Sequence, residues 1–464
     1  MFYKKRLATP KTKTFYFAFN DFSGGMGGKK YGKISAKYAD VCFNTDGEYG
    51  AFKQGFGFDQ PWLNASVSFP QAKQIDSFCI DGQSFLALTN ENDELVILSV
   101  QNPTGWQKIA KVKGKPKLVE FRQNQKVTLL VFDDDGLQTW DGNITTKIND
   151  TPVLSDVVLC YERVFGVDKN DKTLLRFSSC QNPNVWANEN GNFDYIRLDD
   201  NFGEIKKLVV LKGDIFVFGK NKIAKLVATS SPQNFFAQTV FSLNESIFNG
   251  SICHCGGDVA FCVNDGIFLF NGNTITCVSR GFKNRFGKSE QIASCFFDGK
   301  YFLSCKFDFC DGRRIGCEKQ EYKNNAVAIY DFAKDKIDFA RGMDISCFVT
   351  AHDKLFFVAD GKVGQISDSG LFFGNPLQKV WQTEYGDCGV VGKKVLKSVQ
   401  LYSLSNVVLK IFADDKIYTF AINGKKSLQK IKLGISGNIF KICFEANCAK
   451  PFVFKPVFEI GYGG

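Results

Sequence analysis

The side chains most capable of chemistry fall in a few short stretches. Cys253-His254-Cys255, with Cys262 following, sets three thiols and an imidazole close in sequence, a soft donor set of the kind that holds zinc. The stretch reads as a strand, however, and neighbouring strand side chains point to opposite faces, so three adjacent donors do not easily meet one ion. Cys305, Cys310 and Cys317 are spaced unlike a paired C-x-x-C knuckle. Zinc stays the lesser alternative at both places. Asp133-Asp134-Asp135-Gly136 with Trp140 approaches the Asp-box turn of sialidases, whose chemistry needs paired carboxylates or an arginine cluster at a propeller mouth. It occurs once and its Trp stands one residue late, so it reads as an acidic hairpin turn with a buried Trp. Only His254 and His352 exist, and no G-x-S-x-G elbow is present, which leaves a Ser-His-Asp relay little to work with. His352 reads as a turn residue. Ser23 to Gly28 (SGGMGG) precedes lysines but lacks P-loop spacing and a strand-loop-helix setting, and reads as a flexible arm. No catalytic, metal or cofactor-binding residue is named, and no cofactor is expected.

What positions these residues is a repeated hairpin. Leu208 to Ala228 alternates apolar runs (LVVL, IFVFG, IAKLVA) with turns at Lys212-Gly213-Asp214 and Lys220-Asn221-Lys222, a meander of short strands. The phrase restarts at Phe78, Phe121, Tyr161, Leu208, Cys253, Phe296 and Phe348, at intervals of 43, 40, 47, 45, 43 and 52 residues. A period of about 40 to 50 residues in an all-β chain is that of a propeller blade. The expected fold is therefore all-β: a β-propeller of about seven blades over 61–376, preceded by an extended N-terminal arm and docking segment (1–60) and followed by a C-terminal β-sandwich (377–464). Trp140-Asp141 lacks the Gly-His and the recurrence of a WD-repeat scaffold.

Composition agrees. Forty-eight phenylalanines in 464 residues supply bulk for pleated, half-buried surfaces. The net charge of +10 is spread without a Lys/Arg tract, which suits a solvated surface and leaves a weak affinity for a polyanion such as DNA as the sharper alternative, with no place fixed for it. No apolar run approaches the ~18 residues of a membrane-spanning helix, and no secretory leader is visible. The sixteen cysteines are thus expected as small buried hydrophobes in a reducing cytoplasm, Cys79, Cys262, Cys295, Cys305 and Cys443 among them.

Three groups of residues carry a resemblance. The opening places Phe22-Ser23-Gly24-Gly25 before Ala39-Asp40-Val41-Cys42-Phe43-Asn44, Gly47 and Lys53-Gln54-Gly55-Phe56-Gly57. The middle has Phe177-Ser178-Ser179, Asn182-Pro183, Trp186 and Asp194-Tyr195-Ile196, then Gly213-Asp214 and Val217-Phe218. The last segment opens Trp381-Gln382-Thr383, Gly386-Asp387-Cys388-Gly389, Lys393-Lys394. In this order they resemble the propeller-bearing tail and connector proteins of tailed bacteriophages, of the tail nozzle and stabilization type. Each motif alone is a turn or a structural position; their succession along nearly the whole chain makes the likeness.

The resemblance implies a non-enzymatic virion protein. Copies would form a homo-oligomeric ring at the tail nozzle or tube, or at the portal-tail junction, assembled in the bacterial cytoplasm, contacting portal, adaptor or other tail proteins, with DNA passing through the ring's lumen and no membrane insertion. The alternative is a tail-tip receptor-binding protein that binds or depolymerises carbohydrate, with Trp62, Trp106 and Trp186 as sugar-stacking platforms, although blade anchors explain these residues more simply. A cytoplasmic scaffold unconnected with phage is a third possibility.

Overall fold

The computed structural model describes residues 12–19, 21–27, 34–35, 38–46, 50–61, 67–188, 191, 193–228, 231–289, 291–319 and 324–463. Its backbone is nearly all strand. Seven antiparallel sheets follow one another along the chain, each starting with a strand against the axis and meandering outwards. Their innermost strands are Ala72–Ile80, Lys117–Gln123, Leu154–Cys160, Lys207–Leu211, Cys253–Cys255, Ala293–Phe297 and Cys347–Ala351, which define blades 1 to 7. Each innermost strand touches the next, and that of blade 7 touches that of blade 1, so the circle is closed. The fold is a seven-bladed β-propeller. Tight two-residue turns set the blade hairpins: Lys212 and Gly213 (φ 54° and 84°) and His352 and Asp353 (φ 45° and 55°) take the left-handed conformations that match the strand twist. His352 is thus a turn residue, as its sequence context predicts.

Blades pack face to face through apolar side chains. The second strand of blade 4, Asp214–Phe218, is buried at Ile215, Phe216, Val217 and Phe218, because both of its faces meet a neighbouring blade. Phe218 meets Phe261 and Phe270 of blade 5 at ring separations of 6.0 and 6.2 Å.

The amino-terminal arm and docking segment of 1–60 is extended, and over its described residues its strands are built into both the sandwich and the propeller. Its strands are β1 (Thr12–Ala18), β2 (Val41–Phe43), β3 (Thr45–Asp46), β4 (Ala51–Gln54) and β5 (Gly57–Asp59). Of these, β5 pairs with Lys362–Ser367 and is the fourth strand of blade 7, so one sheet joins residues some 300 positions apart and locks the circle. Gly57 is required there: a Cβ would collide with the hydroxyls of Ser367 and Ser369. Asp59 accepts hydrogen bonds from both serines, at 2.7 Å from Ser367.

The remaining four strands belong to the sandwich. One sheet runs β3, β4, Phe452–Gly463, Lys394–Ser403, Lys425–Gly437, with β1 also on Phe452–Gly463. The other runs β2, Lys379–Gln382, Phe440–Ala446, Val407–Ala413, Lys416–Ile422. We call them the outer and the inner sheet. Their shared core holds Trp381, against which Phe22 and Phe19 pack edge-on at 4.7 and 5.3 Å. The flexible-arm reading of Ser23 to Gly28 is likewise corrected over the described residues 23–27. Phe19, Phe22 and Met26 are buried, and the apolar surface they remove from water holds the segment down. Gly28 lies outside the described residues.

Candidate functional site

Two places gather polar side chains: the propeller axis and the joint between propeller and sandwich. The axial channel encloses about 590 Å³ and is lined by all seven innermost strands, with Leu159, Val210 and Phe296 beside Glu120, Lys207, His254 and Thr350. An innermost strand leaves one edge of N–H and C=O groups without a strand partner, and such groups need partners when buried. Neighbouring blades supply them. Gln74 donates to Pro116 O (2.9 Å), the Cys79 N–H donates to Glu120 (2.6 Å), and the Leu208 N–H donates to Asp156 (2.8 Å). Lys207 donates to Ile252 O (2.7 Å), Ser294 to Gly250 O (2.8 Å), Ser304 to Ile345 O (2.7 Å) and Ser77 to Thr350 O (2.7 Å). The remaining junction, blade 2 to blade 3, is bridged by Lys117 and Asp156 at 3.6 Å. Glu120 and Asp156 therefore tie blades together. Asp76, on the innermost strand of blade 1, accepts only the N–H of its neighbour Ser77 (2.8 Å) among the described residues, and burial pushes its carboxyl up to about 6 against the opposing pull of that N–H, Lys117 and Lys207.

The joint is more elaborate. Between the strands Lys300–Phe307 and Ala326–Asp331 of blade 6 the chain leaves the blade, and its described residues 308–319 and 324–325 reach the sandwich. Asp311 accepts from Arg313 (2.8 Å) and Arg341 (2.9 Å), and Arg341 also grips Glu318 with two donors at 2.9 Å each. Arg313 continues to Gln382 and Glu445 of the inner sheet, both at 3.0 Å, and Lys410 reaches Glu445 at 2.7 Å. Asn44 clamps the backbone of Arg341 from both sides, donating to its carbonyl (3.1 Å) and accepting its N–H (2.8 Å). Phe309 and Phe43 cover the Arg341 guanidinium at 4.1 and 4.9 Å. Burial would raise the Asp311 carboxyl, but its hydrogen bonds to Arg341 and Arg313 prevail and hold it below the usual carboxylate range; Glu445 is lowered in the same way by Lys410 and Arg313. On the blade 7 side, Lys379 is fully buried and donates to Gly370 O (2.6 Å) and Cys448 O (3.0 Å). Burial without an acidic partner pulls it down to about 8.

The chemistry-bearing residues of the sequence are dispersed by this arrangement. On Cys253–Cys255, Cys255 is buried, Cys253 is half-buried and His254 is exposed towards the channel; Cys262 is buried on the next strand. Cys305 is buried, Cys310 exposed and Cys317 half-buried. Among the described residues no group of three or more His, Cys, Asp or Glu is placed to hold a metal ion. Cys262, Cys295, Cys305 and Cys443 are buried hydrophobes, but Cys79 is exposed: strand alternation sends its neighbour Phe78 into the core and turns the thiol the other way. Asp133 is buried and accepts from the backbone of Lys113 (3.0 Å) and Asp135 (2.8 Å), an acidic hairpin turn, and Trp140 is buried against Phe78. Trp186 is buried and donates to Pro183 O (2.8 Å), while Trp106 donates to Ser68 O (2.9 Å) and packs on Phe69. Both act as anchors. Trp62 lies outside the described residues.

Sequence reasoning missed the joint network and Lys379. Burial of a charge leaves no mark on a hydropathy pattern, and the one available signal was length: blade 6 has eighteen residues between Lys300–Phe307 and Ala326–Asp331, where the other blades turn in two to five at that point.

No family model and no curated protein matches the chain. Solved structures similar to it include BBS1N in complex with ARL6DN (10% identity, 67% of this chain and 95% of that one, TM-score 0.43). Two others are BamB from Moraxella catarrhalis (11%, 77% and 96%, TM-score 0.39) and the extracellular domain of the putative hybrid two component system BT4673 from B. thetaiotaomicron (10%, 81% and 47%, TM-score 0.44).

Proposed function

We propose that this chain is a non-enzymatic structural component of a tailed-bacteriophage virion, present as a ring of copies at the tail or the portal-tail junction around the path of the DNA. The observation that carries the reading is where the phage-like residues lie. Asn44 and Gln382 are both members of the joint network, Trp381 fills the sandwich core, and Thr383 accepts the Ile442 N–H at 3.0 Å. The residues behind the likeness thus serve to weld a closed propeller to a sandwich, which suits a strut under load better than a catalyst. Glu120 and Asp156 are engaged with the backbone of adjacent blades, and the channel's 590 Å³ is the size of a small-ligand pocket, so DNA would pass through a ring of copies and not through one propeller. Quantitative mass spectrometry of DNA-filled particles tests this: a small-integer ratio to portal protein is expected, and absence from such particles overturns it.

A further inference from the structure

The exposed apolar side chains are unevenly placed. Of the fourteen large ones among the described residues, eight belong to the sandwich, and Val185, Tyr195, Phe236 and Val240 belong to blades 3 and 4. The joint fixes the sandwich to blade 6, three blades round the circle from blade 3, so the two groups lie on opposite sides of the molecule.

Three of the sandwich group, Tyr16, Val395 and Leu428, sit on one built surface, the outer sheet. Since the inner sheet's Gln382 and Glu445 meet blade 6, the outer sheet's far face is left open. The register aligns Tyr16, Glu459, Ser398 and Lys432 in one row across four strands, with Ala18, Val457, Gln400 and Lys430 in the next. Lys426 and Leu428 continue the face along Lys425–Gly437. Glu459 is taken by Ser398 (2.9 Å) and Lys430 (3.0 Å), while Lys426 and Lys432 make no ion pair among the described residues. Lysines along an edge strand also discourage a neighbour from adding to the edge, but that role does not require Leu428 between them or Tyr16 three strands away.

On the opposite surface the complementary character lies at blade 3. Tyr195 lies on the outermost strand of blade 3, Phe236 and Val240 on that of blade 4, and these two strands touch. Beside Tyr195, Asp199 and Asp200 are exposed and make no ion pair among the described residues. Residues 154–204 of blade 3 hold five basic and nine acidic side chains, against thirteen and six for residues 377–464, whereas residues 205–242 of blade 4 hold six and one, so the acidic character belongs to blade 3. Two basic faces repel each other, so a two-fold contact through either surface is disfavoured.

We infer that copies of the chain pack head to tail, the outer-sheet face of one copy seated on the rim of the next at blade 3, around Tyr195, Asp199 and Asp200. This rests on the ring reading above and names its contact. A contact between unlike surfaces on opposite sides propagates, closing into a ring when the rotation allows. The test is sedimentation velocity of the full chain and of three variants: Lys426→Glu with Lys432→Glu, Asp199→Lys with Asp200→Lys, and all four together. Wild type should form species larger than a dimer, each pair should shift the equilibrium at least tenfold towards monomer, and the fourfold variant should recover assembly, which also shows that the pairs do not merely misfold. Assembly unaffected by either pair overturns the contact while leaving the ring intact. A wild type still monomeric at about 100 µM overturns the contact also, and the virion reading then stands or falls on copy number in particles. If the lysine pair instead abolishes binding to double-stranded DNA and leaves assembly unchanged, the face belongs to a polyanion and the inference fails.

Discussion

At the residue scale, Arg341 is the best-defined dependency in the molecule. Its guanidinium neutralises Asp311 and Glu318 out of reach of water, and its backbone is held by Asn44. Removing one member of such a set leaves its partners buried and uncompensated, which costs about 3 to 5 kcal/mol. Arg341→Met should lower the unfolding free energy by that amount in urea titrations, whereas Lys362→Ala, on an exposed strand position, should change it by less than about 0.5 kcal/mol. The Arg341 variant should also become more sensitive to rising pH above 4, because Asp311 would then be a buried carboxylate with Arg313 as its one remaining cation among the described residues. Lys379 gives a pH dependence of its own. Its folded value of about 8 lies below the ordinary 10.5, so between these limits the unfolded chain binds a proton that the folded chain does not. Stability from this group therefore rises with pH across 8 to 10.5 and its burden is fully present below 8. Unfolding of wild type and Lys379→Met compared at pH 7.5 and pH 10, under reducing conditions, should show the difference shifting in favour of wild type at the higher pH.

At the element scale, β5 matters beyond its three residues. Blade 7 has only three strands of its own, and β5 completes it by pairing Phe58 with Ile366. Phe58 is fully buried and meets Phe357 edge-on at 5.5 Å. Phe58→Ala should cost about 3 to 5 kcal/mol, as large-to-small core changes do. It should also make the chain cleavable by limited proteolysis between blade 7 and blade 1, since the lost contact is the one closing the circle. A variant destabilised uniformly, with no new cleavage there, would show that the inner-strand bridges Ser77 to Thr350 O and Cys347 to Ile75 O hold the circle without β5. This element was illegible in the sequence. Gly57 stood out only as the end of the Gly55-Phe56-Gly57 motif and Phe58 not at all, because pairing with a strand some 300 residues away leaves no local periodicity.

At the scale of the whole molecule, what repeats was readable and what occurs once was not. The seven phrase starts fall on or next to the seven innermost strands, Phe78 within Ala72–Ile80 and Tyr161 just after Leu154–Cys160, because each blade must bury the same alternating faces against its neighbours. The sandwich has no such repeat, and its pairings join the two ends of the sequence: Val41 opposite Gln382, Phe52 opposite Val453, Phe17 opposite Phe458. Charge follows the same division. Residues 61–376 carry 35 basic and 37 acidic side chains, and the remainder 23 and 11, so the positive excess seen without location in the sequence belongs to the sandwich and the segment that feeds it. Because β4 contributes the buried Phe52, and the turn after β1 contributes Phe19 and Phe22, residues 377–464 alone lack three of the aromatic side chains around Trp381 and Phe444. That fragment should show no cooperative thermal transition by near-ultraviolet circular dichroism, and covalent addition of residues 12–59 through a flexible linker should restore one. A fragment that folds unaided would mean that the amino-terminal strands dock on a finished sandwich, and the domain would then have to be divided as the sequence alone suggested.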